Sequence, residues 1–528
     1  MATSGGGLGS PQWTTKAEKR GLDPLGMQTT SVALYQQLVP GISNVTLRMR
    51  YYGLYAWLAQ RYARDIGNTS VEQWCIYLRR AEAMYALASV HAGGERGVAG
   101  VDWATRALAE SGDDVDFHTA TDRAEGEPQY LKQKFGAFGA AYGSQLFDIG
   151  VLEAVPGHDV PVPTRQIGDK LAEAFQAAIG AAADVFMAAV HAGVINKRGL
   201  AALPAMLPSR IAADGTEREL YEHLLLSGAH GERARAASRG HSLRLVLRIA
   251  EDHGSSVRVD ALRWSLYASQ CSVVAPFSAL DLDEDKQRFA WAVYQANDLL
   301  HLCYETILKL SLDVLGGSPT GMLFETLVGQ TAHRLMSTLD DYAAGSWDDL
   351  CDSLALAIDP TSIEETMSEL SLQRAVLRSA RLEALTSDDS ARSAVLLLAV
   401  LHKRFHGLIE RVARELPVLA EGSFLRSIVT ELPFLNSHAD APLLALLARI
   451  VRQRVLDRHL WVAIQKFRGA GDYTFLLESD DGRVRLRQKD GPVLTNPRLS
   501  SAIAFLEDIH LLNAGGTTAA GSRLIQAA

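Results

Sequence analysis

The chain has 528 residues, 48% of them hydrophobic and 21% charged, with a formal net charge of −9. That length exceeds what one hydrophobic core organises, and at roughly 150 residues per domain it implies about three or four units. The acidic balance argues against a surface coated for broad, salt-driven nucleic-acid binding, although a local basic face stays compatible with it. Cys75, Cys271, Cys303 and Cys351 stand far apart with no C-x-x-C pair, which excludes a thiolate zinc cluster of the common spacing and fits a reducing compartment. The longest apolar runs, 394–401 and 180–195, are too short or too Ala-rich to span a bilayer, and the first residues lack a basic start followed by an apolar core. The expectation is a cytoplasmic protein with no membrane partner.

Residues 1–27, rich in Gly, Ser, Thr and Pro, read as a flexible lead-in. A first helical domain covers 28–195. Pro40-Gly41 separates its first two helices, and Ser43 or Asn44 is placed to cap the second. Leu47, Tyr51, Leu54, Tyr55 and Leu58 fall on one face of that helix, with Arg48, Arg50 and Tyr52 off the stripe. Such an Arg/Tyr cluster either meets phosphates and bases or packs an interhelix seam, and the bulk of the rings favours the seam. A third helix follows from Val71 to about His91. The Gly- and Asp-rich stretch 93–126 reads as a loop with at most one short helix.

A compact pattern then appears. Tyr142-Gly143-Ser144-Gln145-Leu146-Phe147-Asp148-Ile149-Gly150-Val151-Leu152 reads as a helix ending in a glycine turn, followed by a Gly/Pro-rich excursion and Thr164-x3-Gly168-x2-Leu171. The C-terminal tail has the same layout: Phe505-x2-Asp508-Ile509-His510-Leu511-Leu512, a turn, then Thr517-x3-Gly521-x2-Leu524. In each, the apolar pair closes a helix, a hairpin covers it, the Thr caps the next helix and the Gly lets two backbones approach. Between the two, 196–456 reads as a central helical bundle. It includes an Ala-rich helix leading in from 171–194, a long helix from Glu284 to Leu315 and helices near 320–338, 346–357, 362–385, 391–416, 423–430 and 443–465. In the tail, Asp457 begins a short helix, and the alternating runs Tyr473–Glu478 and Arg483–Arg487 around a Ser-Asp-Asp-Gly turn make a β-hairpin. Asn496 and Pro497 suit the start of a last helix carrying Leu499, Ile503, Leu506 and Ile509. Both patterns, at about 129–183 and at 457–528, resemble a winged helix. The expected fold is therefore mainly α, a multi-helix bundle or array with small winged-helix-like α+β modules near both ends.

Motifs for a P-loop, a dinucleotide fold, a nucleophile elbow or an H-E-x-x-H metalloprotease are absent, so no catalytic residue and no cofactor is assigned. The best metal candidates, His402, His406 and Glu410, recur at i, i+4 and i+8, beside Lys403, Arg404 and Arg411 that oppose a cation. Asp281, Asp283, Glu284 and Asp285 lack the Gly and terminal acid of a calcium loop and read as an acidic helix start. Glu478 to Lys489 contains the residue types of a nuclease core on too short a turn. For phosphate or DNA contact the candidates are Arg483, Arg485 and Arg487, which share one strand face, with Lys489 and Arg498 nearby. A second set, Arg233, Arg235, Arg239 and Arg244, belongs to the most basic window of the chain, 232–248, where Glu217, Glu219, Glu222, Glu251 and Asp252 are the expected neutralisers. Edge protection and solvated surface are the plainer accounts of these two sets.

The 38–52 region, the Asp457-Arg458-His459 start and the 495–508 stretch resemble large, uncharacterised bacterial proteins that look like accessory components of anti-phage or DNA-modification systems. The resemblance implies a defence-associated role. The helical content and the absence of a cofactor motif lead to the expectation of a non-enzymatic scaffold or adaptor, whose partners would be other protein subunits of such a system, double-stranded DNA, or a second copy of itself. The alternatives are a sequence-tolerant DNA-binding protein using the C-terminal wing and the central Arg window, and an enzyme whose site is dispersed along the chain.

Overall fold

The computed structural model describes residues 23–122, 129–227, 233–268, 280–342, 345–354, 368–420, 425–480 and 482–526. The lead-in up to residue 22 and Cys271 lie outside the described residues. The chain is mainly helical, and its described strands form two-stranded antiparallel sheets.

The helices gather into two compact units that are not the sequential domains expected. One is built from residues 1–34, 263–277 and 288–495, the other from 35–262, 278–287 and 496–528. The tail expected to be one module, 457–528, is thus shared: its hairpin belongs to the first unit and its last two helices to the second.

In the first unit the helix Asp388–Phe405 forms the centre. Its residues from Ala394 to His402 are all buried, so its run is continuously apolar rather than striped. The helices Trp347–Ser353, Glu369–Arg378 and Ile428–Asn436 pack against it. The helix expected over 391–416 breaks after Phe405 into a 3-10 turn, His406–Leu408, and a short helix, Ile409–Glu415. Asp457 does not begin a helix. The stretch Leu443–Arg449 passes through a π-helical segment, Ile450–Leu456, straight into Asp457–Ala470. A hairpin forms, but its first strand is Leu477–Asp480 rather than Tyr473–Glu478, paired with Arg483–Leu486 so that Leu477 lies opposite Leu486 and Ser479 opposite Val484. Its Arg-rich strand is not a free edge at Val484, because Met322 bridges it from the other side through paired backbone bonds of 3.0 and 2.8 Å.

In the second unit the helix Arg50–Asp65 is buried on every face from Arg50 to Ala59, which corrects the single stripe. It starts beyond Ser43 and Asn44, neither of which caps it. The helix Val71–His91 forms as read, capped by Ser70. The stretch read as loop holds a helix, Val101–Glu110, a short one, His118–Thr121, and the strand Asp114–Asp116, paired with Val194–Asn196. That strand pair lies outside the expected hairpins, for its partners are some eighty residues apart and neither shows alternation long enough to read. The Ala-rich helix is two, Gly168–Ile179 and Ala182–Ala192, broken at Gly180 with φ 53°. Among the described residues no single helix is long and apolar enough to cross a membrane.

Candidate interaction site: a repeated helix–hairpin–helix motif

The second unit contains one backbone arrangement twice. In the first copy the helix Gly143–Asp148 ends at Gly150, in left-handed conformation with φ 80°, and the hairpin Leu152–Val155 with His158–Pro163 leads to Gly168–Ile179. In the second copy Leu499–Asp508 ends at His510, φ 59°, and the short hairpin Leu512–Asn513 with Gly516–Thr517 leads to Ala519–Gln526. A left-handed histidine is uncommon. It is held there by the same turn that glycine forms in the first copy.

The bonds match one for one. Val151 N donates to Leu146 O at 2.9 Å, and Leu511 N to Leu506 O at 2.8 Å. Thr164 Oγ1 donates to Gly150 O at 2.6 Å and accepts from Gly168 N at 3.1 Å. Thr518 Oγ1 donates to His510 O at 2.7 Å and accepts from Gly521 N at 3.2 Å. A Cβ on Gly168 would sit 2.2 Å from Val151 O, and one on Gly521 2.5 Å from Leu511 O, so both glycines are needed for close backbone approach. The equivalent of Thr164 is therefore Thr518, which corrects the Thr517 of the sequence pattern. Thr517 instead donates to Leu247 O at 2.8 Å. One fewer residue separates the Thr from the Gly in the second copy, and that shift hid the register.

The equivalent carboxylates Asp148 and Asp508 both receive the connection that precedes the helix Arg50–Asp65. Gly41 N donates to Asp148 Oδ2 at 2.8 Å, and Met49 N to Asp508 Oδ2 at 2.8 Å. Asp508 thereby supplies from a distance the cap that Ser43 and Asn44 do not. Asp148 pairs with Arg235, and Asp508 with Arg48 at 2.9 Å. Arg48 also meets Glu95 at 3.1 Å. Burial pushes the Asp508 carboxyl up, with Arg48 and the Met49 amide pulling against it. Neither aspartate was singled out from the sequence as a holding group, although the repeated Asp-Ile pair was the available signal.

The cations expected to meet phosphate are mostly engaged within their own unit. Arg487 lies over the Tyr473 ring and pairs with Glu478 at 2.7 Å, both nearly buried. Lys489 pairs with Asp313 at 2.6 Å. These two pairs also separate the acids and lysine of the nuclease-like stretch. Arg498, left-handed with φ 65°, donates to Ile42 O at 2.5 Å and lies over Tyr35, and burial lowers its pKa. Arg485 is half-buried beside Gly321. Arg483 is exposed and donates to Gly321 O at 2.7 Å.

In the central window, all on the helix Arg233–His253, Arg239 is buried and donates to Leu224, Leu225 and Pro40 carbonyls, capping the end of the helix Thr216–Leu226. Arg248 pairs with Glu284 at 3.0 Å, and Arg244 lies within the field of Asp281. The side chain of Arg233 lies outside the described residues. Arg235 and Arg248 thus pair with Asp148 and Glu284, and not with the acids nearest in sequence. Glu217 is instead held by the buried Arg50 at 2.9 Å, which is the seam reading of the Arg/Tyr cluster.

The metal candidates do not form a ligand set. His402 Nδ1 accepts from Trp347 Nε1 at 3.0 Å, and Glu410 lies beyond the break after Phe405. Among the described residues no three His, Cys, Asp or Glu side chains are grouped to hold a metal ion. Asp281 caps the long helix Leu282–Gly316, accepting from Asp283 N and Glu284 N at 2.8 and 2.7 Å, as its acidic start implied. No family model, curated protein or solved structure matches the chain.

Proposed function

We propose that the chain is a non-enzymatic helical scaffold or adaptor that binds a protein partner. Its two helix–hairpin–helix copies act as small winged-helix-like recognition modules. The observation that carries this reading is the engagement of candidate DNA-contacting cations: Arg487, Lys489, Arg498 and Arg239 direct their charge to carboxylates and carbonyls of their own unit. Phosphate contact needs accessible cations that displace the counterions condensed on the nucleic acid, and guanidinium groups already paired within the protein displace few. A protein surface makes no such demand.

The reading places the chain in a multi-protein bacterial system of the anti-phage kind, on the support of the sequence stretches at 38–52, 457–459 and 495–508. The DNA-binding alternative rests on Arg483 and Arg235, the more exposed of the candidate cations. Titration of the purified chain with a duplex of about 30 base pairs at low and moderate salt separates the two. The adaptor reading expects weak binding, unchanged in an R483E/R235E variant, and a partner retained from native lysate after nuclease treatment. Tight, salt-sensitive binding lost in that variant, or turnover of nucleotide or DNA by the chain alone, overturns it.

A further inference from the structure

On the long helix Leu282–Gly316, Asp298, His301 and Glu305 follow one another at i, i+3 and i+7, on one face. All three side chains are fully or almost fully buried. They hold the backbone of an extended segment of the same unit. Val493 N donates to Glu305 Oε2 at 3.0 Å, and His301 Nε2 donates to Val493 O at 2.8 Å. Thr495 N donates to Asp298 Oδ2 at 3.2 Å and its hydroxyl to Oδ1 at 2.7 Å, while Arg263 Nη1 donates to Thr495 O at 3.0 Å. The Val493 side chain is 52% exposed, so the segment is retained by its backbone and not by burying an apolar anchor. Ionisable groups of a membrane-free interior are costly unless mutually compensated. Here they are gathered on three residues of peptide.

We propose that this trough is a pH-sensitive clasp on segment 493–495, closed below neutrality and opening as the pH rises above it. The groups that bear on it are Tyr294, Asp298, His301 and Glu305 on the long helix, Arg263 on the helix Val259–Ala268, and Asp23 ahead of the helix Gln28–Leu38; Tyr294 donates to Asp298 Oδ2 at 3.2 Å, and Gln28 donates to Glu305 Oε1 at 3.0 Å. Arg263 pairs with Asp298, leaving His301 to balance Glu305. Burial raises the Glu305 carboxyl to about 7, against the pull of His301. Burial opposes the charge of His301, yet Glu305 and Asp298 hold it above its ordinary value. Both groups bind a proton more tightly in the clasp than out of it. The stability from Glu305 is full below its ordinary value of 4.5 and lost through about 7, and that from His301 is full below its ordinary value of 6.5 and lost as the pH rises through its raised folded value. Once the pH has risen past the folded values of both groups, Asp298 and Glu305 carry charge while the imidazole has lost its own. Arg263 alone then faces two buried carboxylates, with Asp23 adding to the repulsion.

Hydrogen–deuterium exchange of the full chain at pH 6.0, 7.0 and 8.5, corrected for the chemical rate at each pH, tests this. Amides of 493–495 should exchange about tenfold faster, or more, at pH 8.5 than at pH 6.0. Glu305→Gln should flatten that dependence while the helix Asp388–Phe405 stays protected. Where that helix loses protection, His301→Gln is read in its place. Exchange in the parent chain that does not change with pH overturns the proposal, as does a folded variant with the parent's dependence.

Discussion

Asp148 and Asp508 stand at equivalent points of the two helix–hairpin–helix copies, and each accepts a backbone N–H from the same connection, Gly41 at one end and Met49 at the other. The segment 41–49 is thereby held from two sides by carboxylates more than three hundred residues apart in sequence. Asp508→Asn should weaken the Arg48 pair and the helix cap together, costing about 2–4 kcal/mol in a denaturant melt of the full chain. Asp148→Asn should cost less, because Arg235 is about half exposed and its ion pair is screened.

The two close-approach glycines make a comparison with a built-in control. Gly168→Ala and Gly521→Ala each force a methyl into a carbonyl oxygen and should destabilise by about 2 kcal/mol or more. Gly329, inside the helix Phe324–Ser337, has nothing within 4 Å of its missing Cβ. Gly329→Ala should stabilise by about 0.5–1 kcal/mol, through helix propensity. Equal effects at all three positions, measured by thermal or denaturant unfolding, would contradict the backbone match of the two copies.

Arginines on one strand face should differ sharply in what they do. Arg487→Ala leaves Glu478 nearly buried without its cation and should cost about 3 kcal/mol. Arg483→Ala removes an exposed side chain and should stay within about 0.5 kcal/mol of the parent. Urea midpoints of the two variants, at unchanged m-value, check this.

Glu82 in the second unit is a buried carboxyl accepting from Tyr55, Ala137 N and Phe138 N at 2.8, 2.7 and 2.8 Å. Burial raises it to about 7, so its proton is held more tightly folded than unfolded. Its contribution is complete below 4.5 and declines as the pH rises to about 7. Glu82→Gln should therefore lose less stability between pH 5 and 7.5 than the parent does. A parent and variant with parallel stability–pH curves would show that Glu82 titrates alike in both states.

Local pattern determined a good deal by itself: the mainly helical class, the helix Val71–His91, the long helix with its acidic start, the presence of a hairpin within Tyr473–Arg487 and the repeated Asp-Ile pair. Those features depend on residues within a turn or two of one another, where propensity, capping and periodicity act. Tertiary structure alone decided that 457–528 is divided between two units, that Met49 is capped by Asp508, that Thr518 and not Thr517 matches Thr164, and that Arg235 and Arg248 are neutralised by Asp148 and Glu284. Asp298, His301 and Glu305 were visible as three ionisable residues on one helical face, but what they hold is a backbone nearly two hundred residues away. A carboxylate or guanidinium takes whichever partner the fold brings within about 3 Å, and sequence separation carries no information about that distance.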